Sequence, residues 1–264
     1  LTTPRRITSW GRFPREGVVL DEATGIVYMT EDRKDGCFYR HVPNDPKKPL
    51  GSGKVQALSI KGVKTTSPYH KPNPGVTTAS AWKDGQEWAV TWVNIDDPSA
   101  RVSTCRAQGA AKGATTFCRN EGIAWTGKSV WFVASLGGPV MAGQIFEYQP
   151  VADDPNQGKL TLRYEVSDRS ILSCPDNIIL SPWGDLVMAE DNYRADEKAT
   201  HQYIRAMDGQ GRIYDLARNR NNFPKTSKPG AEFTGVCFSP DKKVMFFNMQ
   251  NPENVTIAIK GPWA

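Results

Sequence analysis

The apolar residues of the chain fall in short runs rich in β-branched and aromatic side chains, which is the pattern of β-strands. Pairs containing glycine, aspartate or proline separate these runs, and such residues favour tight turns. No long segment has the apolar spacing of an amphipathic helix. The pattern predicts an all-β fold, with strands at 25–32, 35–42, 54–60, 87–95, 129–136, 143–150, 177–182, 185–191, 211–217, 234–240 and 243–250.

Four segments repeat one layout, namely residues 16–32, 121–135, 176–191 and 234–250. Each begins with a polar or acidic residue and an apolar run, turns, and continues into a second apolar run. Such repetition is typical of a β-propeller, in which the innermost strand of each blade starts near a central channel. We predict one propeller domain over residues 1–264, with about 16 to 18 strands, or roughly four blades and part of a fifth.

An acidic residue stands at the start of each unit or, in the fourth, two residues before it. These residues are Glu16, Glu121, Asp176 and Glu232. In a propeller these carboxylates would meet at one end of the channel although they are distant in sequence. Clustered carboxylates repel one another unless a cation or an arginine neutralises them, and oxygen-rich clusters suit calcium. Arg119 is two residues from Glu121, so both side chains would leave the strand on one face. Metals beside an arginine would suit phosphoryl transfer on an anionic substrate.

Each acidic residue has a simpler interpretation when it is taken alone. A glutamate before a strand glycine is usually a solvated turn residue, and acidic pairs at strand ends are usually surface charges or turn caps. The hypothesis of a metal centre therefore depends on the repetition and on no single residue.

Composition and charge restrict the partners. The formal net charge is +5, but no run of five like charges occurs, so no nucleic-acid partner is indicated. No stretch of 18 apolar residues occurs, so we expect no membrane span. The chain starts at Leu1 without the features of a signal peptide, and we interpret it as a processed mature chain or a fragment.

The five cysteines include no Cys-x-x-Cys pair, so a structural zinc site is not expected. Cys105 and Cys118 flank a Gly/Ala-rich loop and would be able to pair across a hairpin in an oxidising compartment. The alternative is that the cysteines are small buried residues. This suits Cys37 and Cys237 best, because both lie in apolar strand-like runs.

Four long motifs run in order along the chain, and they are WGRFPREGVVLDEATGIVYMTEDRKDGCFYRHVP, FCRNEGIAW, CPDNIILSPWGDLVMAEDN and EFTGVCFSPDKKVMFFNMQNPENVTIAIKGPW. Together they resemble the PhoX family of alkaline phosphatases. The resemblance implies a six-bladed β-propeller that is exported by the twin-arginine route to the periplasm or the medium. It also implies hydrolysis of small phosphate monoesters at a cluster of calcium and iron at one end of the channel.

The resemblance further implies roles for individual residues. Glu16, which follows the Gly-Arg-Phe motif, resembles a carboxylate of the cluster. Glu121 resembles an iron ligand, and Arg119 resembles the contact to the substrate phosphate. The motifs that look calcium-binding contain Glu31, Asp32, Asp176, Asn177, Glu190, Asp191 and Glu232, without an indication of which member of each pair binds.

Two features depart from the family pattern. Arg15 stands where the family often has histidine. The family's cysteine ligand of iron and a further glutamate come from a segment upstream of the Gly-Arg-Phe motif, and this chain begins at that motif. We expect either that the protein continues N-terminally or that it is a shortened relative without iron, in which the propeller is incomplete.

Three functions remain open from the sequence. The first is an exported metal-dependent phosphomonoesterase. The second is a non-catalytic calcium-binding propeller that serves as a scaffold or accessory subunit, with a protein partner covering the strand edges of an incomplete ring. The third is a lactonase-like propeller with one calcium, which fits the fold but leaves Arg119 and the repeated carboxylates without a role.

Overall fold

Residues 3–4, 6–66, 82–151, 154–191, 201–219, 232–250 and 254–263 are described by a computed structural model of the chain. Within them the all-β prediction is confirmed, because the only helical elements are α1 (Cys105–Ala111) and a 3-10 turn at Thr8–Trp10. The strands are β1 (Arg15–Leu20), β2 (Val27–Glu31), β3 (Gly36–Cys37), β4 (Tyr39–Pro43), β5 (Gly53–Ile60), β6 (Glu87–Asn94), β7 (Thr116–Phe117), β8 (Asn120–Trp125), β9 (Val130–Ala134), β10 (Gln144–Val151), β11 (Asp154–Glu165), β12 (Pro175–Leu180), β13 (Leu186–Glu190), β14 (Tyr203–Met207), β15 (Ile213–Arg218), β16 (Phe233–Phe238), β17 (Val244–Met249) and β18 (Val255–Lys260).

The strands form antiparallel blades. Blade I contains β1, β2, β4 and β5, and blade II contains β8, β9, β10 and β11. Blade III contains β12 to β15, and blade IV contains β16 to β18. Strand β6 pairs with both β5 and β11, so blades I and II share one nine-stranded sheet. The innermost strands β1, β8, β12 and β16 contact one another in that order, which is the arrangement of a β-propeller.

Apolar side chains from facing blades fill the spaces between them. Between blades I and II, Phe38 stacks on Phe132 with ring centroids 4.3 Å apart. Val133 and Met188 belong to the cluster between blades II and III, and Phe247 belongs to the cluster between blades III and IV. Burial of each large apolar side chain contributes roughly 1.5–3 kcal/mol, so this packing fixes the blades relative to one another.

Two glycines allow the innermost strands to approach closely. A Cβ atom on Gly17 of β1 would lie 2.5 Å from the Ile123 side chain of β8. A Cβ atom on Gly122 of β8 would lie 2.6 Å from the backbone nitrogen of Ile178 in β12, and it would collide with the carbonyl oxygen of Asp176. The glycine that follows the acidic residue in the first two repeats therefore permits contact between blades.

Some elements differ from the prediction. The run expected at 35–42 is divided into β3 and β4. Strands β1 and β8 lie in the repeated segments, whereas β7, β11, β14 and β18 lie outside both the predicted runs and the repeats. The Gly/Ala-rich segment forms α1 and not a hairpin loop, because the Thr104 hydroxyl caps the helix by accepting the N–H of Ala107 at 3.2 Å. None of the described helices has the length and apolar composition of a membrane span.

The pairing of Cys105 with Cys118, one of the two interpretations that the sequence left open, is wrong. Cys105 lies in the apolar cluster that contains Met29, whereas Cys118 packs with Leu136 and Cys174. All five cysteines are free thiols. Cys37 is buried as the alternative interpretation expects, but Cys237 is exposed. The cysteines therefore give no support to an oxidising compartment.

Candidate metal centre

Each innermost strand has a register shift near its start. In blade I, three residue steps from Arg15 to Val18 on β1 match two steps on β2. The other shifts lie between Asn120 and Ile123 in β8, Pro175 and Ile178 in β12, and Thr234 and Cys237 in β16. Such β-bulges change the direction of side chains, and in the first three blades they include Glu16, Glu121 and Asp176.

A backbone hydrogen bond closes the same end of every repeat. In each blade, the residue after the second strand donates its N–H to the carbonyl of the residue before the innermost strand. The pairs are Asp32 to Pro14 (3.1 Å), Ser135 to Arg119 (2.8 Å), Asp191 to Cys174 (3.0 Å) and Gln250 to Glu232 (3.0 Å). The four donors therefore occupy equivalent positions around the axis, and the four acceptors do likewise.

Five carboxylates meet at this end of the channel. Side-chain oxygens of Glu16, Glu121 and Asp176 lie within 4.8 Å of one another. The oxygens of Asp176, Asp191 and Glu232 form a second such group, so Asp176 joins the two. Oxygens that share one calcium ion at about 2.3–2.6 Å lie no more than about 5 Å apart, so each group matches the coordination of a single cation.

Burial makes these carboxylates hard to ionise without a cation. Burial raises the pKa of Glu121, and the neighbouring carboxylate of Asp176 raises it further. The pKa of Asp176 is raised by burial and then by Glu232. Burial followed by the charge of Asp32 also raises the pKa of Glu16. A bound hard cation would stabilise the charged form of all these groups.

Arg119 brings positive charge to the cluster. Its Nε and Nη2 atoms donate to the two oxygens of Asp32 at 2.8 and 3.1 Å. Nη2 also lies 2.9 Å from Oε1 of Glu121, and Nη1 lies 4.0 Å from Oδ2 of Asp191. The backbone of Arg119 has a φ of +57°, a left-handed conformation that costs free energy and recurs at functional sites. The spacing of Arg119 and Glu121 does bring their side chains together.

Glu31 and Asp32, the acidic pair at the end of β2, have different surroundings. Glu31 is buried within blade I, where its Oε2 accepts the hydroxyl of Tyr39 at 2.7 Å. Its Oε1 accepts Nη1 of Arg106 at 3.0 Å. Asp32 faces Arg119 instead. The carboxylate of Glu31 is therefore neutralised by Arg106 of α1.

Glu190 occupies the equivalent position at the end of β13. Its Oε1 accepts Nε of Arg205 at 2.8 Å and the N–H of Ser173 at 2.9 Å. Burial raises its pKa to about 7 in spite of these donors. Neither Glu31 nor Glu190 belongs to the two carboxylate groups, whereas the adjacent Asp191 does.

Two polar side chains hold the carboxylates in place. Asn177 donates its Nδ2 to Oδ1 of Asp176 at 2.7 Å, and its own Oδ1 accepts the hydroxyl of Thr234 at 2.7 Å. Ser135, which the sequence interpretation missed, donates its hydroxyl to Oε1 of Glu121 at 3.1 Å. The signal for Ser135 is its place at the end of the second repeat.

The combination of a propeller with acidic innermost strands agrees with one known family. The sequence model described as alkaline phosphatase PhoX matches residues 1–253. The chain belongs to the PhoX family. A search of curated proteins finds no match to the chain.

One solved structure supports the fold. Pseudomonas fluorescens PhoX in complex with vanadate, a transition state analogue, gives a TM-score of 0.67 at 20% sequence identity. The match covers 96% of this chain and 51% of that one, so the chain spans about half the length of this relative. The periplasmic gluconolactonase of Pseudomonas aeruginosa gives 0.42 at 9% identity, covering 94% of this chain and 68% of that one. A putative 6-phosphogluconolactonase from Bacteroides uniformis gives 0.40 at 12% identity, covering 93% and 67%.

Proposed function

We propose that the protein is a metal-dependent phosphatase that hydrolyses phosphate monoesters at the carboxylate cluster. The observation that carries the proposal is the convergence of two carboxylate groups beside Arg119 in a chain of the PhoX family. The activity is proposed for the whole protein, because the chain spans about half of its solved relative. We also propose export to the periplasm or the medium, which family membership supports.

The carboxylate groups would hold hard cations, and calcium is the first candidate. Every donor in the two groups is a carboxylate oxygen, the ligand type that calcium prefers. Iron is the second candidate, at Glu121, with further ligands from outside these two groups. When bound, such cations would polarise the phosphoryl oxygens and neutralise charge that develops in the transition state. From the strand-end pairs we propose Asp32 and Asp191 as site residues, because Glu31 and Glu190 are bonded within their blades.

Arg119 would bind the substrate phosphate. Asp32 holds two nitrogens of its guanidinium group, so the side chain is oriented before a substrate arrives. Ser135 and Asn177 would act as positioning residues, because they bond the carboxylates of Glu121 and Asp176.

Two variants test the proposal when metal analysis is combined with hydrolysis of p-nitrophenyl phosphate. Glu121→Gln keeps the size of the side chain but removes its charge, so metal content and activity should fall together. Arg119→Lys keeps the charge but loses the guanidinium fork. Metal content should then remain while kcat/KM falls by roughly tenfold to a thousandfold. The matched control is Glu87→Gln, at an exposed residue that pairs with Lys159 on β11.

The outcomes separate the competing functions. Metal bound without hydrolysis would reject the phosphatase and favour the non-catalytic calcium-binding scaffold. Loss of metal in Arg119→Lys would show that Arg119 supports the carboxylates and does not act on the substrate.

A further inference from the structure

A cavity of about 430 Å³ is lined by residues that are close in sequence to Glu16 and Asp32, and we call it the arginine pocket. Its lining includes Arg12, Phe13, Pro14, Arg33, Thr104 and Arg106. Among the described residues that line the pocket, three are arginines and none is acidic, so their charge is opposite to that of the carboxylate cluster. A cavity of this charge is suited to an anionic group.

Two residues that line the arginine pocket, Pro14 and Arg33, lie close in sequence to residues of the metal centre. Pro14 is two residues from Glu16, which limits the separation of their Cα atoms to roughly 7 Å. Its carbonyl accepts the N–H of Asp32 at 3.1 Å. Arg33 directly follows Asp32, and its carbonyl accepts the N–H of Arg119 at 2.8 Å. The lining of the pocket therefore begins one residue from Asp32 and two residues from Glu16.

Two of the three arginines are available to a ligand. Arg106 is held by ion pairs of 3.0 Å with both Glu31 and Asp35. Arg12 and Arg33 are exposed, and neither forms an ion pair with a carboxylate of the described residues. Two guanidinium groups without carboxylate partners match the charge of about −2 that a phosphate carries near neutral pH.

An apolar wall stands between the charged groups. Phe13 stacks on Tyr39 with ring centroids 4.3 Å apart, and the guanidinium carbon of Arg15 lies 4.5 Å from the centre of the Phe13 ring. These contacts hold the ring in place, and its remaining atoms form the apolar part of the pocket lining. A second cavity of about 900 Å³ shares Arg12 and Phe13 with the pocket and extends the basic surface with further arginines.

We infer that the arginine pocket binds a second phosphate group of the substrate, so that the protein prefers phosphate esters that carry two phosphates. The inference rests on the proposed function, because the first phosphate must occupy the metal centre. Guanidinium groups bind phosphate through paired hydrogen bonds. Carboxylates around the metal centre repel a further anion, whereas the arginine pocket attracts one.

The test compares fructose 6-phosphate with fructose 1,6-bisphosphate, which share one sugar. Phosphate release gives kcat/KM for each, and calorimetric titration gives each Kd. A substrate with two hydrolysable groups has twice the kcat/KM on statistical grounds alone. We therefore expect kcat/KM for the bisphosphate to exceed that for the monophosphate by well over twofold. Arg12→Gln and Arg33→Gln should each reduce this preference by roughly three- to tenfold, the loss of one partly screened charged contact. The matched control is Arg212→Gln, an exposed arginine at the β14–β15 turn, which should keep the preference.

Each outcome decides the inference separately from the proposed function. Hydrolysis of both sugars with no preference above twofold, or an unchanged preference in both pocket variants, would overturn the arginine pocket and leave the phosphatase intact. Tighter binding of the bisphosphate that Arg12→Gln and Arg33→Gln weaken, without hydrolysis, would support the pocket and reject the phosphatase. Failure of both sugars to bind would overturn the inference.

Discussion

Replacing Gly122 with alanine should separate the innermost strands of blades II and III. The added methyl group would lie 2.6 Å from the backbone nitrogen of Ile178 and would collide with the carbonyl oxygen of Asp176. Backbone atoms cannot rotate away as a side chain can, so β8 and β12 must move apart. Because Glu121 directly precedes Gly122, this movement also displaces the carboxylates of the metal centre.

The cost can be bounded from known effects. Overpacking in a well-packed interior costs typically about 1–3 kcal/mol. Loss of backbone freedom in the unfolded chain offsets about 0.4–1 kcal/mol of this. Because both colliding atoms belong to the backbone, the upper end of the overpacking range applies, and a net loss of about 2 kcal/mol remains. For 264 residues the unfolding entropy is about 0.55 kcal/mol/K, so Tm should fall by about 4 °C.

The assay measures thermal unfolding of each variant by circular dichroism at increasing calcium concentrations. Gly209→Ala is the matched control, because no atom lies within 4 Å of its added Cβ and its backbone is not in the left-handed region. We expect Gly209→Ala to melt at the temperature of the unchanged protein or up to about 2 °C higher, because alanine reduces the freedom of the unfolded chain. Equal melting temperatures for the two variants would refute the close contact of β8 and β12.

Two further predictions use the carboxylates and the thiols. Calcium should raise Tm and a chelator should lower it, since binding favours the folded state. Asp176→Asn should reduce this rise more than Glu16→Gln, because Asp176 belongs to both carboxylate groups; an equal reduction would contradict the shared role. At pH 8, Ellman's reagent should label one thiol quickly, since Cys237 is exposed and the other four cysteines are buried. Burial raises the pKa of Cys105 to about 11, which disfavours its thiolate, and a fast phase that survives Cys237→Ser would be inconsistent with this.

The strands that are rich in β-branched and aromatic residues could be predicted, because each is an apolar run bounded by turn-forming residues. Strand β11 was missed because it begins with the polar residues Asp154–Gly158, whose pairing with β10 depends on the partner strand. The helix α1 was missed because it has only seven residues and no apolar stripe. Its Gly109 packs against Ala57 of β5, a contact that comes from a distant part of the chain.

For the candidate site, repetition indicated where carboxylates would converge but not which member of an acidic pair faces the axis. Adjacent residues at a strand end point to opposite sides. The choice between Glu31 and Asp32 depends on Tyr39 and Arg106, because both donate hydrogen bonds to the carboxylate of Glu31. Only Tyr39 is close in sequence. The bulges that direct Glu16 and its equivalents inward also depend on strand pairing, which periodicity alone does not specify.

Strand β6 joins blades I and II into one cooperative unit, which should resist local unfolding more than blades III and IV do. Because its hydrogen bonds reach both β5 and β11, blades I and II should exchange their amide protons as one protected unit. In the described residues no sheet ladder crosses from β8 to β12, although Glu121 and Asp176 face each other there. A cation held by both carboxylates would connect blade II to blade III at this place. Its removal should leave blades III and IV the first to open.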